Sequence, residues 1–500
     1  MKFKYQLRGA TLLFVLIVFG KLSGFLKDVE MTYFHGVSDV TDAFFLAVYI
    51  SSLLYIAIYA SIPIVIVPLY SKLNESQNVS TNLGSVYVIY LIMSISLALL
   101  VFTYSADLVS LFGSQLNSEV TLQSSYYLKL MAVTFPLSTI VAFANAQQTV
   151  KKTIFYYYLV PLVNNVVFCV TLVIYQENFE FHYILIASIF AWLLLCIVNL
   201  YSEKLYIKNF WLVLTDLAKL RNAFVLTFPA LLSLFAEQLN NFIGIIFASK
   251  LGDGAVSIYS YSNKLNLLIL SVTIMLITTH IYPKLNEIVS RNERGDMSSF
   301  LNFSLNILLI IIFPVVVYFS YYSYETVSLI FRRGDFSDNN AVMVAEVFRV
   351  FIVVIPLVIF KDILIRMFFA RGNSGTAFFI SFAVTAINFT ICYRFYQEYL
   401  LVGVVVAYLI SLVVGVILLL VVKWYRERDN LPQLLIKTFS SRVVIVLVAI
   451  FSISLIEPLT QFYWLFYLPI YIAIYIGLLF ILKDKSLYLF IAYLNRYKIT

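Results

Sequence analysis

The stretch from Gly20 to Phe45 reads GKLSGFLKDVEMTYFHGVSDVTDAFF and joins the first long apolar run of the chain to the second. Its charged residues stand where a membrane-spanning helix usually has none: Lys21, Lys27, Asp28, Glu30 and Asp42. A charge near the centre of a bilayer costs roughly 3 kcal/mol on insertion scales, so a chain that keeps several must provide a wet environment for them. We interpret this stretch as one wall of a polar cavity inside a helical membrane protein.

The composition supports a membrane protein. Apolar residues make up 62% of the 500-residue chain and charged residues 12%, whereas soluble domains are about a quarter charged. Several apolar runs reach the roughly 20 residues that cross a bilayer as a helix, and they are too uniformly apolar for barrel strands. The sequence therefore predicts an all-α polytopic membrane protein. The three cysteines lie in apolar runs and suggest no disulfide framework, and no Cys/His cluster has metal-ligand spacing.

Fourteen apolar segments are candidate transmembrane helices, and the hydrophilic connections between them are short. They lie near 9–34, 42–69, 85–106, 122–148, 154–175, 182–201, 224–249, 257–281, 301–323, 342–369, 375–393, 399–422, 441–456 and 463–482. Lysine and arginine concentrate in alternate connections, which predicts that those connections and both termini are cytoplasmic. This topology accounts for the net charge of +8 without a nucleic-acid partner.

An internal repeat suggests two halves. Tyr70–Glu75 (YSKLNE) matches Tyr282–Glu287 (YPKLNE), and a weaker match in the same order relates residues 153–155 to residues 376–378. Parallel repeats related by an axis along the membrane normal are typical of transporters. We predict two parallel six-helix lobes around a central cavity, followed by two further helices. The predicted boundaries are 1–205, 206–430 and 431–500.

The charges inside the spans suggest a binding site. Lys21, Gly24 and Asp28 share one helix face by the 3.6-residue period. Asn263 and Lys264 lie in a polar patch at the start of span 8, which the repeat pairs with the span that contains Asp42. These residues either line an aqueous cationic cavity for an anionic substrate or form buried ion pairs, such as Lys27 with Asp42, that fix the helices.

A coupling cation could bind elsewhere in the spans. Glu237, which precedes two asparagines, and Asn388 offer oxygen ligands within apolar helices. Asparagines in such helices more often form hydrogen bonds between helices, so both readings stay open.

Several motifs resemble the MurJ (MviN) lipid II flippase family of the multidrug/oligosaccharidyl-lipid/polysaccharide exporter superfamily. They are SGFLKD at 23–28 with Gly36, TDAFF at 41–45, LIFRRGDF at 329–336 and FFARGN at 368–373 with Thr376. The resemblance implies fourteen helices in two lobes, with the last two forming a groove for a lipid tail. It also implies that Lys21, Lys27 and Lys264 stand where the family has cavity arginines and that Asp42 matches its helix 2 aspartate. Lysine keeps the charge but lacks the bidentate fork of arginine.

One segment departs from the family pattern. The family typically follows the helix 2 aspartate with two arginines and an E-G-A-F segment, whereas residues 54–57 read LYIA here and residues 59–62 read YASI. The carrier-linked substrate is therefore left open between lipid II and an O-antigen or capsule repeat unit on undecaprenyl diphosphate.

Together these features predict a flippase rather than an enzyme. A monomer in the bacterial cytoplasmic membrane would move an anionic lipid-linked saccharide from the inner to the outer leaflet by alternating access. No phosphate-binding G-x-x-x-x-G-K-[ST] motif is present, so we expect no ATP and no cofactor. The membrane potential, worth roughly 2.3 kcal/mol per charge per 100 mV, or an H⁺ or Na⁺ gradient would drive transport.

Two alternatives remain. A drug/cation antiporter of the same superfamily would favour a cavity rich in carboxylates, which the three lysines oppose. A membrane-embedded polysaccharide polymerase or ligase would usually present a large outward loop, and the connections here are short.

Overall fold

The computed structural model describes the chain with several gaps. The described residues are 2–71, 77–113, 115–151, 155–174, 181–203, 217–276, 288, 294–370, 373–427, 431–460, 463–484 and 487–488, in places for the backbone alone. The hexapeptide repeat, at 70–75 and 282–287, lies largely outside this set.

Fifteen α-helices lie in the described residues. Their bounds are α1 Lys2–His35, α2 Asp39–Ser71, α3 Gln77–Thr103, α4 Ser105–Phe112, α5 Ser118–Lys151, α6 Phe155–Ile174, α7 His182–Glu203, α8 Leu217–Ala248, α9 Ala255–Leu276, α10 Arg294–Tyr321, α11 Ser323–Phe331, α12 Asp338–Ala370, α13 Ser374–Glu427, α14 Leu431–Thr460 and α15 Trp464–Ile481. A 3₁₀ turn, Ser249–Leu251, connects α8 to the loop before α9.

The predicted spans coincide with these helices, apart from the short α4 and α11. Helix α13 contains two of the predicted spans. Its backbone departs from helical geometry at Leu400 (φ 50°, ψ −139°), and this kink divides it into two helical segments. Within the described residues, eight helical segments are long and apolar enough to cross a membrane, and two shorter apolar ones are Leu159–Ile174 and Val443–Glu457. The prediction of an all-α polytopic membrane protein is confirmed.

The chain divides into two compact units, one of residues 1–258 and 331–340 and the other of residues 259–330 and 341–500. In the first unit, α2 packs on α3, α5 and α8, α1 packs on α6, and α5 packs on α7. In the second unit, α14 packs on α10, on α15 and on α13. The boundaries at 205 and 430, and the lipid-tail groove of the last two helices, stay predictions.

Hydroxyl groups join α2 to its neighbours in the first unit. The ring of Tyr55 stacks on Phe135 with centroids 4.3 Å apart. Its hydroxyl donates to the carbonyl of Phe135 over 2.7 Å and lies 2.8 Å from the Thr139 hydroxyl, while Ser138 donates to it over 2.7 Å. The segment that departs from the family pattern therefore forms part of the buried α2–α5 contact.

A buried aromatic cluster dominates the described part of the second unit. One face of α15 carries Tyr467, Tyr471 and Tyr475, and all three are at most 1% exposed. Tyr318 of α10 lies 5.2 Å from Tyr471, ring centre to ring centre, and its hydroxyl donates to the carbonyl of Trp464. Aromatic ring contacts and a hydroxyl that finds a backbone acceptor therefore connect α10 to α15.

The segment 331–340 docks on the end of α1 through the backbone. The amide of Asp335 donates to the carbonyl of Tyr33 over 2.9 Å. Gly334 has a φ of +58°, and a Cβ placed there would lie 2.1 Å from the carbonyl oxygen of Tyr33. The RRGDF motif therefore needs glycine at its third position, because any side chain would push the two backbones apart.

We expect Gly334→Ala to destabilise the protein. A left-handed φ at a non-glycine residue costs about 1–3 kcal/mol, and the overlap with Tyr33 adds to that cost. Thermal unfolding of the purified protein in detergent should show a lower midpoint than wild type. The matched control is Gly477→Ala in α15, where a Cβ meets no atom within 4 Å and where alanine favours the helix. Equal midpoints for the two variants would contradict the docking described here.

Candidate functional site

Helix α1 presents its polar residues beside α6. The side-chain amide of Asn165 in α6 donates to the hydroxyl of Ser23 over 3.1 Å and to the carbonyl of Gly20 over 3.4 Å. A Cβ at Gly24 would lie 3.3 Å from the same amide nitrogen. The small residues of the GKLSG segment therefore let a polar group of α6 reach the backbone of α1 one or two turns before Lys27.

Lys27 lies half-buried in the α1–α6 contact. Its ammonium nitrogen lies 5.1 Å from the centre of the Phe168 ring, and Phe168 packs in turn against Phe44 and Phe181. Among the described residues, no carboxylate forms an ion pair with Lys27. The cation is therefore held by a ring face, which is worth about 0.5–2 kcal/mol and less than a charge-assisted bond to an anion would give.

The other predicted residues of α1 surround this lysine. Lys21 is exposed, and Gly24 and Asp28 are half-buried. Glu30, one turn beyond Lys27, is half-buried, and its Oε2 atom is buried without a hydrogen-bond partner. The structure thus brings Lys27, Asp28 and Glu30 together on one segment of α1 beside Cys169 of α6.

Asp42 has a different environment from Lys27. It is fully buried, and its carboxylate accepts hydrogen bonds from the Ser257 amide (2.7 Å), the Ser257 hydroxyl (2.5 Å) and the Gly254 amide (2.5 Å). Gly254 directly precedes α9 and Ser257 lies in its first turn, where the N–H groups have no partner within the helix. A carboxylate at this end also interacts favourably with the helix dipole. Asp42 therefore caps α9, and the ion pair with Lys27 that we considered is not formed.

Sequence reasoning missed the partners of Asp42. The Ser257 hydroxyl also lies 2.7 Å from the hydroxyl of Thr41, so both polar residues of the TDAFF motif contact the start of α9. The available signal was the glycine-rich turn GDG at 252–254 just before an apolar helix, which marks a helix N-terminus that needs an acceptor.

Lys264 and Asn263 belong to the second compact unit, on α9, and both are half-buried. On the same helix, Tyr259 lies 5.1 Å from Phe351, ring centre to ring centre, and the Ser262 hydroxyl donates to the carbonyl of Val344 over 2.9 Å. These contacts anchor the helix to α12. The role of Lys264 and Asn263 in a substrate cavity stays a prediction.

The possible cation site is described only in part. The side chain of Glu237 lies outside the described residues. Asn388 is buried, and its Oδ1 accepts a hydrogen bond from the thiol of Cys392, one turn further along α13, over 3.4 Å. No group of three His, Cys, Asp or Glu residues that could hold a metal ion occurs in the part of the chain that was described. The cation site stays a prediction.

The chain is similar to known membrane transporters along most of its length. A family model described as lipid II flippase MurJ matches residues 31–473. A probable lipid II flippase MurJ of Aquifex aeolicus (strain VF5) is 24% identical over 492 residues, 95% of each chain. A probable lipid II flippase MurJ of Buchnera aphidicola subsp. Baizongia pistaciae (strain Bp) is 23% identical over 384 residues, 74% of each chain.

Solved structures show the same fold. One described as lipid II flippase MurJ in an inward closed conformation has a TM-score of 0.77 at 19% identity, covering 97% of this chain and 99% of the other. An inward-facing multidrug resistance transporter of the MATE family has a TM-score of 0.64 at 15% identity, covering 83% and 95%. At these identities the similarity shows a shared fold only. The chemistry must be inferred from the residues of the site.

We expect Asp42→Asn to destabilise the protein. An amide keeps the shape but loses the charge, and each hydrogen bond to a charged group contributes about 1.5–3 kcal/mol. The thermal midpoint in detergent should fall clearly, and Ser257→Ala should lower it by less, because the Ser257 amide remains. The control is Asp39→Asn, since Asp39 accepts from the Asn117 side chain and an asparagine oxygen can do the same. If Asp42→Asn and Asp39→Asn had equal thermal midpoints, the cap on α9 would not stabilise the protein.

Proposed function

The chain belongs to the MurJ family of lipid II flippases, and from that premise we propose that Lys27, with Lys21, captures the diphosphate of the lipid-linked saccharide that it flips. The observation that carries this proposal is the half-buried ammonium of Lys27, which rests on the Phe168 ring and has no carboxylate partner among the described residues. A diphosphate oxygen offers this cation a stronger, charge-assisted contact than the ring does.

The placement of the lysines fits the physics of the substrate. A diphosphate that crosses a membrane needs water and cations around it, because hydrocarbon satisfies neither its charge nor its hydrogen bonds. Lys21 is exposed and Lys27 is half-buried six residues further along α1, a separation of about 9 Å along the helix axis. The two ammonium groups thus offer successive contacts along the route of the head group, while the prenyl tail stays in lipid.

The α9 cap supplies a second part of the mechanism. Asp42 and Thr41 connect the start of α2 to the first turn of α9 through buried hydrogen bonds. We propose that this connection is made in one state of the transport cycle and broken in another, because alternating access requires contacts at the helix ends to exchange. The α8–α9 loop and the 331–340 segment belong to the same compact unit as α1 and α2. This supports a common role of these segments in the proposed exchange of contacts.

Several further properties are part of the proposal. Both termini are cytoplasmic, the protein acts as a monomer, and an inside-negative potential or an H⁺ or Na⁺ gradient drives the outward movement of the anionic substrate without ATP. The carried saccharide is lipid II or a surface-polysaccharide repeat unit on undecaprenyl diphosphate. The family pattern has a charged segment in α2, whereas this chain has a neutral hydroxyl network around Tyr55 at that place. We therefore propose both substrates.

Lys27 also argues against a cation antiporter. A cationic drug approaching Lys27 would meet repulsion, and the buried carboxylate of Asp42 in α2 is already occupied by three donors. The likeness to MATE transporters therefore reflects the shared fold.

We expect Lys27→Gln to lower the rate of lipid II flipping in proteoliposomes at least about tenfold, since a lost charge-assisted bond is worth about 1.5–3 kcal/mol. Lys27→Arg should retain most activity because the charge remains. The matched control is Lys250→Gln: Lys250 also lies over a phenylalanine, 5.2 Å from the Phe247 ring centre, but outside α1. Full activity of Lys27→Gln with each carrier-linked saccharide would refute the assignment, and comparing lipid II with a capsule repeat unit identifies the substrate.

A further inference from the structure

Arg349 of α12 is a cation inside a predicted span that the proposed capture step does not use. It is exposed, and it lies within the predicted span 342–369, where a charge needs a partner or water. Glu346 stands three residues earlier on the same helix, a spacing that allows an ion pair. That ion pair is not formed, and Arg349 contacts no other carboxylate among the described residues.

The junction between α10 and α11 orients the guanidinium of Arg349 instead. Its Nε atom donates to the hydroxyl of Ser323 over 3.1 Å, and Ser323 is fully buried. The Ser320 hydroxyl donates to the backbone carbonyl of Arg349 over 3.4 Å. An arginine has five N–H donors in a planar fork, so the bond from Nε fixes the plane and leaves the two terminal amino groups for a ligand. No residue in the described ranges accepts a hydrogen bond from them.

The contact with Ser323 also sets the depth of the guanidinium. Ser323 is the last residue of the predicted span 301–323, so the charged group lies at the level where that span meets the lipid head groups. The backbone of Arg349 lies deeper, about 10 Å along the helix axis from the start of its own span. The long side chain covers this distance as arginines near the ends of membrane helices do.

The surface below the guanidinium is apolar. Val342, Glu346, Arg349 and Val353 share one face of α12 by the 3.6-residue period, and all four are exposed. Exposed valines on a membrane-spanning helix provide a surface for acyl or prenyl chains. An arginine fork held above such a surface matches a lipid whose phosphate accepts two parallel N–H bonds.

Acidic groups near this place oppose an anion to different degrees. Glu325 of α11 and Glu457 of α14 both lie within electrostatic reach of Tyr318. Tyr318 and Ser320 are two residues apart and therefore point to nearly opposite sides of α10, so that helix stands between the Tyr318 side and Arg349. Glu346 is the carboxylate that shares the exposed face with Arg349, and removing its charge should strengthen the binding of an anion there.

We propose that Arg349 binds the phosphate of a membrane lipid at the outer surface of the bilayer. The outer placement follows from the proposed topology, whereas the site itself does not depend on the role of Lys27. Two lipids carry the required chemistry: a phospholipid of the bilayer, and the prenyl-diphosphate-linked saccharide after it has been flipped. The fork of Arg349 holds the phosphate while the chains lie along the exposed face of α12.

The experiment measures binding of a short-chain phosphatidylglycerol to the full-length protein in detergent by native mass spectrometry. Arg349→Gln should bind it at least about tenfold more weakly than wild type. Arg349→Lys should lose less, because it keeps the charge and lacks only the fork, and Glu346→Gln should bind more tightly. A diacylglycerol with the same chains and no phosphate should bind equally to all four proteins.

The matched control is Arg394→Gln. Arg394 of α13 is also exposed, but it already forms an ion pair with Glu398, so this variant should keep the wild-type affinity. The assignment is overturned if Arg349→Gln binds phosphatidylglycerol as tightly as wild type, if Arg394→Gln loses as much as Arg349→Gln, or if diacylglycerol binds as tightly as phosphatidylglycerol.

A second variant keeps the test decisive if Arg349→Gln fails to fold. Ser323→Ala retains the cation and removes the hydroxyl that orients it. It should bind phosphatidylglycerol more weakly than wild type while its binding of diacylglycerol stays the same. Unchanged phosphatidylglycerol affinity in both Ser323→Ala and Arg349→Lys would then overturn the assignment.

Competition identifies the lipid that occupies the site. The competitor is a short-chain prenyl diphosphate sugar, added to Lys27→Gln protein so that the proposed capture site does not take part. If the competitor displaces phosphatidylglycerol, Arg349 contacts the carried lipid on its outward route; if it does not, the occupant is a phospholipid. If Lys27→Gln abolishes flipping while Arg349→Gln binds phosphatidylglycerol as wild type does, the capture role of Lys27 stands and only the Arg349 site is wrong.

Discussion

A charge inside a membrane must find a partner or water, and this single constraint explains the arrangement of the first two helices. Three charged residues within a stretch of sixteen meet this constraint in different ways. Asp42 is fully buried and accepts three hydrogen bonds at the start of α9. Lys27 rests on an aromatic ring. Glu30 has a buried oxygen without a donor. The first is fully satisfied, and the other two are satisfied only in part.

Partial satisfaction separates binding groups from structural ones. A buried carboxylate that already accepts three donors has nothing left to offer a substrate, so Asp42 acts on the helices that it joins. A cation on a ring face can exchange that contact for a phosphate oxygen at a net gain. The same logic applies to the hydroxyls of Tyr55 and Tyr318, which are committed to backbone carbonyls of neighbouring helices and therefore serve packing.

The shared fold and the local chemistry carry different information. A multidrug resistance transporter of the MATE family and a lipid II flippase both have folds similar to that of this chain, at 15% and 19% identity. What distinguishes them must therefore lie in a few side chains. We propose that Lys27 on α1, which forms no ion pair with a carboxylate among the described residues, is one of them. The motifs around it belong to the matched family region that begins at residue 31 or directly precede it.

The sequence by itself determined the class, the helices and the family, because long apolar runs and their flanking charges are local properties of the chain. It also singled out Lys21, Lys27 and Asp42 as residues that an apolar helix must explain. Only the tertiary structure decided that Asp42 caps α9, that Lys27 lies over Phe168, and that Gly334 is needed where its backbone meets Tyr33. Those outcomes depend on which helix ends and side chains meet in space, and no pattern of spacing along one helix contains that information.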